Sequence, residues 1–170
     1  MVRSHHLTTG GGIDGLSLRT HTPRAPGAGE VAVHAASLSF RELLVLRGQY
    51  VLPVEPDVIP VSDGAGEVVA VGPDVRRVRP GDRVTAALFP RWLDGPLEPS
   101  YLPQLGGSLD GMLTELAVGS RAQFIAMNDV ITAHRLRPVL DRTFPFEQAA
   151  AAYGYYATAG PSGKVIIKIR

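Results

Sequence analysis

The stretch VIPVSDGAGEVVAVGPDVRRVRPGDRV, from Val58 to Val84, decides the fold class of this 170-residue chain. Apolar and polar residues alternate within it, as is typical of half-buried strands. The glycines of SDGAG allow the backbone to pack closely, and the Pro-Gly pair before Asp82 predicts a tight turn. The stretch therefore predicts two strands, Gly66 to Gly72 and Arg83 to Phe89, with a short connection between them.

The residues on both sides of this stretch extend the same pattern of short strands and turns. Working outward, we predict a hairpin, a third strand, a short helix that a glycine stops, a long irregular loop and a further strand. In chain order these are Val2 to Leu7 with Leu16 to His21, Glu30 to Leu38, Phe40 to Arg47, Pro90 to Gly111, and Met112 to Val118.

The character of the chain changes after Gly119. Ser120 is a good N-cap for an amphipathic helix that extends to about Ala133. A short strand at Val139 and Leu140, an alanine-rich helix and a terminal strand complete the prediction, the last two at Glu147 to Thr158 and Lys164 to Ile169. The whole chain is therefore expected to be mainly β with a few helices.

Composition limits the function classes. Lys and Arg total 17 against 16 for Asp and Glu, so the net charge favours neither nucleic acid nor an anionic membrane as a partner. There is no cysteine, which excludes disulfides and thiolate chemistry. No apolar run approaches the roughly 20 residues that span a bilayer. We expect a soluble, cytoplasmic protein that binds a small-molecule substrate.

One glycine pattern imitates a nucleotide-binding motif. Gly10, Gly12 and Gly15 satisfy G-x-G-x-x-G, the spacing that lets a backbone approach a pyrophosphate at a helix N-terminus. That chemistry needs a buried strand before the glycines and a long helix after them. Here the alternating residues Leu16 to His21 follow instead, so we interpret the glycines as a hairpin turn.

The segment from Ala36 to Val118 resembles the catalytic domain of the medium-chain dehydrogenase/reductase family. The stretch that opens this section carries most of the resemblance. A second block, FPRWLDGPLEPSYLPQLGGSLDGMLTELAV from Phe89 to Val118, is similar to the zinc-independent, quinone oxidoreductase-like branch. The resemblance implies the GroES-like barrel of the alcohol dehydrogenases.

The end of the chain resembles the end of the same family's full-length proteins, in VGSRAQF, LRPVLDRTFPFEQAAAAY and GKVIIKI. In the family a Rossmann cofactor domain separates the TELAV-like strand from the GSRAQF-like turn, whereas here Gly119 follows Val118 directly. The resemblance thus implies a GroES-like domain over 1–118, a C-terminal segment over 119–170 that returns to the barrel, and no complete Rossmann domain. We therefore expect no bound cofactor.

The loss of that domain affects the predicted helix after Ser120. Its apolar residues Phe124, Ile125, Met127 and Ile131 would face the Rossmann sheet in a full-length relative. We expect this face either to fold onto the barrel or to pair with its copy in a homodimer.

The resemblance also argues against a metal. The zinc-dependent branch has a Cys in the segment matching Ser39 to Glu42 and a His-Glu pair matching Ser62 and Asp63. A serine hydroxyl is a poor zinc ligand, and catalytic zinc normally needs three protein ligands from His, Cys or carboxylate. The five histidines are scattered, or point to opposite faces of one strand, and we expect them to be exposed or lightly buried.

The candidate site residues follow from the same comparison with the family. The segment matching the family's Asn-Tyr-Arg-Asp run predicts Ser39, Phe40 and Arg41 as substrate-binding residues, with Ser62 beside them. Tyr50 and Asp63 are candidate proton donor and base, although packing at a barrel rim and capping of a turn are the more ordinary roles. Arg41 and Arg47 could pair with Glu42 or with an anionic ligand, although charged residues on a short helix are usually solvated.

The long loop supplies two more candidates. Trp92 and Tyr101 could form a lid over an apolar ligand, or Trp92 could anchor the loop on the core.

Three functions remain open at this stage. The first is a cofactor-independent enzyme or binder that performs proton-transfer chemistry, such as cyclisation, isomerisation or dehydration of a carbonyl compound. The second is an NADPH-dependent oxidoreductase in which a partner chain or a dimer rebuilds the cofactor site. The third is an inactive or engineered deletion product.

Overall fold

The computed structural model describes residues 1–22, 29–73, 75–76, 78–92, 95–118 and 137–170. These residues form eight strands and two α-helices, with three short 3-10 helices between them. The amphipathic helix predicted from Ser120 to Ala133, with its four apolar residues, lies outside the described residues.

The N-terminal residues form a two-stranded antiparallel ribbon. β1 (Val2–Leu7) pairs with β2 (Leu16–His21) around a turn that contains the 3-10 helix Ile13–Gly15. β1 is also bonded to the rest of the molecule, since the Leu7 amide donates to the Val58 carbonyl over 2.9 Å. The predicted hairpin is therefore confirmed, and the glycines lie in its turn.

The remaining six strands form one mixed sheet in the order β5, β4, β3, β8, β7, with β6 also paired to β3. All neighbours are antiparallel except β7 and β8, which are parallel. Their bounds are β3 (Gly29–Leu38), β4 (Asp63–Val71), β5 (Arg83–Thr85), β6 (Leu116–Val118), β7 (Leu140–Pro145) and β8 (Lys164–Lys168).

Two helices connect these strands. α1 (Phe40–Leu46) follows β3 directly and ends before Gly48, whose φ of 67° favours glycine. α2 (Ala149–Ala159) ends at Gly160, which has the left-handed conformation common after helices. Both helices were predicted from the sequence.

Several predicted strands differ in extent from the observed ones, and β4 begins at Asp63 rather than Gly66. Only Leu116–Val118 of the predicted Met112–Val118 strand joins the sheet as β6, because the Met112 amide donates instead to the Val61 carbonyl. β5 stops at Thr85 rather than Phe89. β7 is longer than predicted because its parallel partner β8, far along the chain, supplies its hydrogen bonds.

One hydrophobic core joins the ribbon, the sheet and both helices. Its largest fully buried side chains include Tyr153 and Phe146 near α2, Leu7 from the ribbon and Leu38 from β3. The C-terminal residues therefore pack in the same core as the N-terminal ones. The domain boundary at residue 118 stays a prediction. Within the described ranges, no helix has the length and apolar character that crossing a bilayer requires.

The described strands confirm the mainly β fold class, and they do not include a doubly wound parallel sheet. One end of the sheet positions the candidate site. β3 ends there at Leu38, and β4 and β8 begin there at Asp63 and Lys164. Because β3 lies between β4 and β8, side chains from three strands and from the end of α2 meet at this edge.

Candidate functional site

A shallow cleft of about 440 Å³ opens at this end of the sheet. Its polar side chains are Ser39 after β3, Tyr156 of α2, Ser162 between α2 and β8, and Lys164 of β8. Its apolar wall includes Leu38, Val139 and Pro161. A concave site with a few convergent polar groups on an apolar wall has the character of a small-molecule site.

Asp63 lies beside the cleft rather than in its wall. The Lys164 Nζ atom is 3.8 Å from the Asp63 Oδ2 atom, and both side chains are about half exposed, at 49% and 46%. The separation is longer than a hydrogen bond, so the pair is loose and both groups remain available to a ligand. The cleft therefore combines an ammonium group and three hydroxyls, with a carboxylate at its edge.

A buried polar cluster is formed by Arg41, Glu42 and Ser62, which lie near Ser39 and Asp63 in the sequence. Glu42 of α1 has a side chain that is 1% exposed, and its Oε1 atom accepts hydrogen bonds from the Ser62 hydroxyl (2.9 Å) and the Ser62 amide (3.3 Å). Arg41 donates to the same oxygen over 3.1 Å. The Arg41 guanidinium also stacks on the Tyr50 ring, 4.5 Å from its centre.

These contacts correct one prediction. The ordinary expectation of a solvated Arg41 is wrong, because its side chain is only 11% exposed and covers Tyr50, whereas the alternative pairing with Glu42 is confirmed. Tyr50 is partly buried and packs against the core, which is the ordinary role considered for it. Ser62 is buried and donates its hydroxyl to Glu42.

Burial controls the ionisation of two groups in this region. Desolvation raises the pKa of Glu42, although Arg41 and Ser62 oppose it. Desolvation also raises the pKa of Tyr153 well above its ordinary value, and the nearby Glu42 charge acts in the same direction. The Tyr153 hydroxyl has no hydrogen-bond partner among the described residues.

The other predicted site residues lie elsewhere. Phe40 is 63% exposed at the start of α1. The Trp92 Nε1 atom donates to the Gly95 carbonyl over 3.0 Å, within its own loop. Tyr101 belongs to the 3-10 helix Pro99–Tyr101. These three residues do not line the cleft.

Sequence reasoning missed Lys164 and Tyr156 as site residues. Both lie in the C-terminal segment, far along the chain from Ser39 and Asp63. The only signal in the sequence was indirect: the GKVIIKI strand that resembles the family begins with this lysine. Its place beside Asp63 depends on the pairing of β8 with β3.

The residues at the zinc-branch positions do not fit a zinc ion. Ser39 and Ser62 supply hydroxyls, and the Ser62 hydroxyl is already donated to Glu42. One carboxylate, from Asp63, does not complete the donor set that zinc prefers. In the part of the chain that the structure describes, no three His, Cys, Asp or Glu residues are grouped to hold a metal.

One histidine departs from the expected exposure. His5 is 4% exposed, because it packs edge-on against the Phe146 ring and its Nε2 atom donates to the Phe146 carbonyl over 2.8 Å.

The glycine turn does not fit a nucleotide pyrophosphate. A phosphate cradle needs free backbone amides at the start of a helix. The Gly11 amide donates to the Thr8 carbonyl (2.9 Å), the Gly12 amide to the Leu46 carbonyl (3.3 Å) and the Gly15 amide to the Gly11 carbonyl (3.2 Å). Two of these bonds close the ribbon's turn and the third links it to α1, so all three amides are engaged.

Known proteins are similar to this chain in sequence and in fold. A model of the alcohol dehydrogenase GroES-like domain matches residues 25–129. A quinone oxidoreductase of Pseudomonas aeruginosa is 32% identical over 163 residues, which cover 92% of this chain and 48% of that protein. A zinc-type alcohol dehydrogenase-like protein of Schizosaccharomyces pombe is 42% identical over 94 residues, which cover 55% of this chain and 27% of that protein.

The chain therefore spans at most about half the length of these curated relatives. Among solved structures, an NAD-dependent alcohol dehydrogenase aligns with a TM-score of 0.81 at 13% identity, covering 99% of this chain and 100% of that one. At this level of identity the likeness concerns the fold alone.

Proposed function

Since the chain belongs to the medium-chain dehydrogenase/reductase family through its alcohol dehydrogenase GroES-like domain, we propose that its cleft binds a small carbonyl compound and moves a proton on it without a nucleotide cofactor. The observation that carries this proposal is the loose pair of Lys164 and Asp63 at the edge of the cleft, 3.8 Å apart. The amides of the glycine turn are engaged, so this motif does not supply a site for a nucleotide phosphate.

Each polar group has a role in such a reaction. The Lys164 ammonium donates a hydrogen bond to the carbonyl oxygen and stabilises the negative charge that develops there. The Asp63 carboxylate takes a proton from the adjacent carbon and returns it to the same or a conjugated carbon. Ser39 and Tyr156 orient the substrate along the apolar wall. The step gives isomerisation, or prepares cyclisation or dehydration, with no change of oxidation state.

Deuterium exchange tests this proposal directly. The purified 170-residue chain is incubated with cyclohexanone in D₂O, and loss of the protons next to the carbonyl is followed by NMR. General base catalysis is worth about 100-fold or more, so D63N should lose at least that factor. D82N is the matched control, because Asp82 is a carboxylate in the turn before β5, paired with Arg79 rather than with Lys164. Equal exchange by both variants would refute the role of Asp63.

A second candidate function has its own support. The match to a quinone oxidoreductase covers 92% of this chain, which favours hydride transfer to a quinone or enone if a partner chain or a second copy supplies the nucleotide site. NADPH oxidation on adding a quinone to the purified chain would establish this function. Tight binding of NADPH or NADH by calorimetry would likewise overturn the cofactor-independent proposal.

A further inference from the structure

The carboxylate of Glu42 is buried although the proposed reaction does not use it. Its side chain is 1% exposed, and burying a carboxylate costs free energy unless hydrogen bonds compensate. Three donor groups provide that compensation, namely the Ser62 amide, the Ser62 hydroxyl and the Arg41 guanidinium. Ser62 supplies two of these donors, and Arg41 bonds to both carboxylate oxygens, so both residues hold the carboxylate.

Ser62 connects this carboxylate to the cleft. It directly precedes Asp63, the first residue of β4. Asp63 pairs with Ser37 of β3, and Ser37 pairs on its other side with Ile166 of β8. Lys164 begins β8 two residues earlier. The position of the Ser62 backbone therefore sets where the Asp63 carboxylate lies relative to the Lys164 ammonium.

Arg41 also makes contacts outside the cluster that fix its position. Arg41 donates to the Gly106 carbonyl over 3.4 Å and stacks on Tyr50. A carbon at Gly107 would lie 2.9 Å from the Arg41 Nη2 atom, so this loop packs closely on the guanidinium. Arg41 thus holds the Glu42 carboxylate together with Ser62, and its bond to Gly106 links α1 to this loop.

We propose that Glu42 is a positioning residue, which acts through Ser62 to set the distance between Asp63 and Lys164. The inference rests on the proposed function, because that distance matters only if the two groups act on one substrate. It concerns geometry, however, and can be measured without any substrate.

Coupling by a water-soluble carbodiimide reports how closely the Asp63 carboxyl and the Lys164 amine approach each other. The reagent activates the Asp63 carboxyl, the Lys164 amine displaces the resulting urea, and an amide bond forms with the lost water taken up by the carbodiimide. Digestion and mass spectrometry then give the fraction of Lys164 that is joined to Asp63. The wild-type chain, with 3.8 Å between Nζ and Oδ2, should couple readily.

Four variants separate positioning from general stability. E42M removes every acceptor, and S62A removes the hydroxyl alone. A displacement of about 1 Å can cost a reaction a factor on the order of 100, and we expect coupling to fall about tenfold in E42M and less in S62A. E42Q keeps one acceptor oxygen and should recover most of the coupling. E67Q is the control: it changes a glutamate of β4 that does not belong to the cluster, and its coupling should match that of the wild type.

The double variant E42M/S62A completes the test. Because both changes break the same hydrogen bond, the double variant should couple as well as E42M does. Circular dichroism at the coupling temperature selects the variants that remain folded, and S62A serves if E42M does not fold. Unchanged coupling in folded S62A and E42M overturns the inference. An absence of deuterium exchange with normal wild-type coupling refutes the proposed function instead.

Discussion

A glycine in the stretch that decides the fold offers a quantitative test of the sheet. At Gly66 an added Cβ atom would lie 2.1 Å from the Ala32 carbonyl oxygen, which is backbone and cannot rotate away. Carbon and carbonyl oxygen approach no closer than about 3.3 Å even in favourable contacts. G66A therefore forces β3 and β4 apart by roughly 1 Å at this point.

The cost follows from the hydrogen bonds that this separation weakens. Gly66 pairs with Val33 on one side and with Val84 on the other. Loss of about three hydrogen bonds at about 1 kcal/mol each gives roughly 3 kcal/mol, a large part of the 5 to 15 kcal/mol that stabilises an ordinary domain. For a chain of this size the expected fall in Tm is about 6 to 12 °C.

Differential scanning calorimetry and urea unfolding measure this change. The matched control is G154A in α2, where the added Cβ atom would make an ordinary 3.7 Å contact with the Ile13 Cδ1 atom. Alanine favours a helix over glycine by about 0.5 to 1 kcal/mol, so G154A should raise Tm. A G66A chain as stable as the wild type would contradict the observed pairing of β3 with β4.

Three further predictions concern buried groups. F146A should cost about 3 to 5 kcal/mol in urea unfolding, because Phe146 is 2% exposed in the core; a cost below 1 kcal/mol would show that it does not pack there. Burial lowers the pKa of His5 below its ordinary value of 6.5, so the wild type should lose stability as the pH falls below 6.5, and H5Q should not share that part of the loss. Burial raises the pKa of Glu42 above 4.5, so wild-type stability relative to E42Q should fall as the pH rises above 4.5, and a constant difference would refute the burial of this carboxyl.

Local patterns predicted most of the strands and both described helices. The hairpin of β1 and β2 follows from alternation on both sides of a glycine turn. The stop of α1 follows from Gly48, which needs only its own conformation to end the helix. Such features depend on neighbouring residues and are visible in the sequence.

Non-local pairing explains what the sequence did not predict. β7 is extended over six residues because β8 bonds to it in parallel, and no local pattern encodes that partner. The strand predicted from Met112 to Val118 is shorter than expected for the same kind of reason. The Met112 amide donates to the Val61 carbonyl, a distant partner that no local pattern encodes. Resemblance to a family supplied the topology that periodicity alone could not.

Only part of the candidate site could be predicted from the sequence. Ser39 and Asp63 were predicted from their positions in family motifs, whereas Lys164 joined them only once β8 was placed beside β3. The sequence left Arg41 either paired with Glu42 or solvated, and a charge on a short helix usually faces water. Its burial depends on Tyr50 and on the loop at Gly106, two contacts outside the helix.

The most direct test of the proposed chemistry is the rate of deuterium uptake by cyclohexanone with and without NADPH. We predict that the wild-type chain catalyses uptake at the same rate in both conditions, and that D63N loses about 100-fold or more of that rate. Uptake that appears only with NADPH, or that D63N retains in full, would contradict proton transfer by Asp63 without a nucleotide.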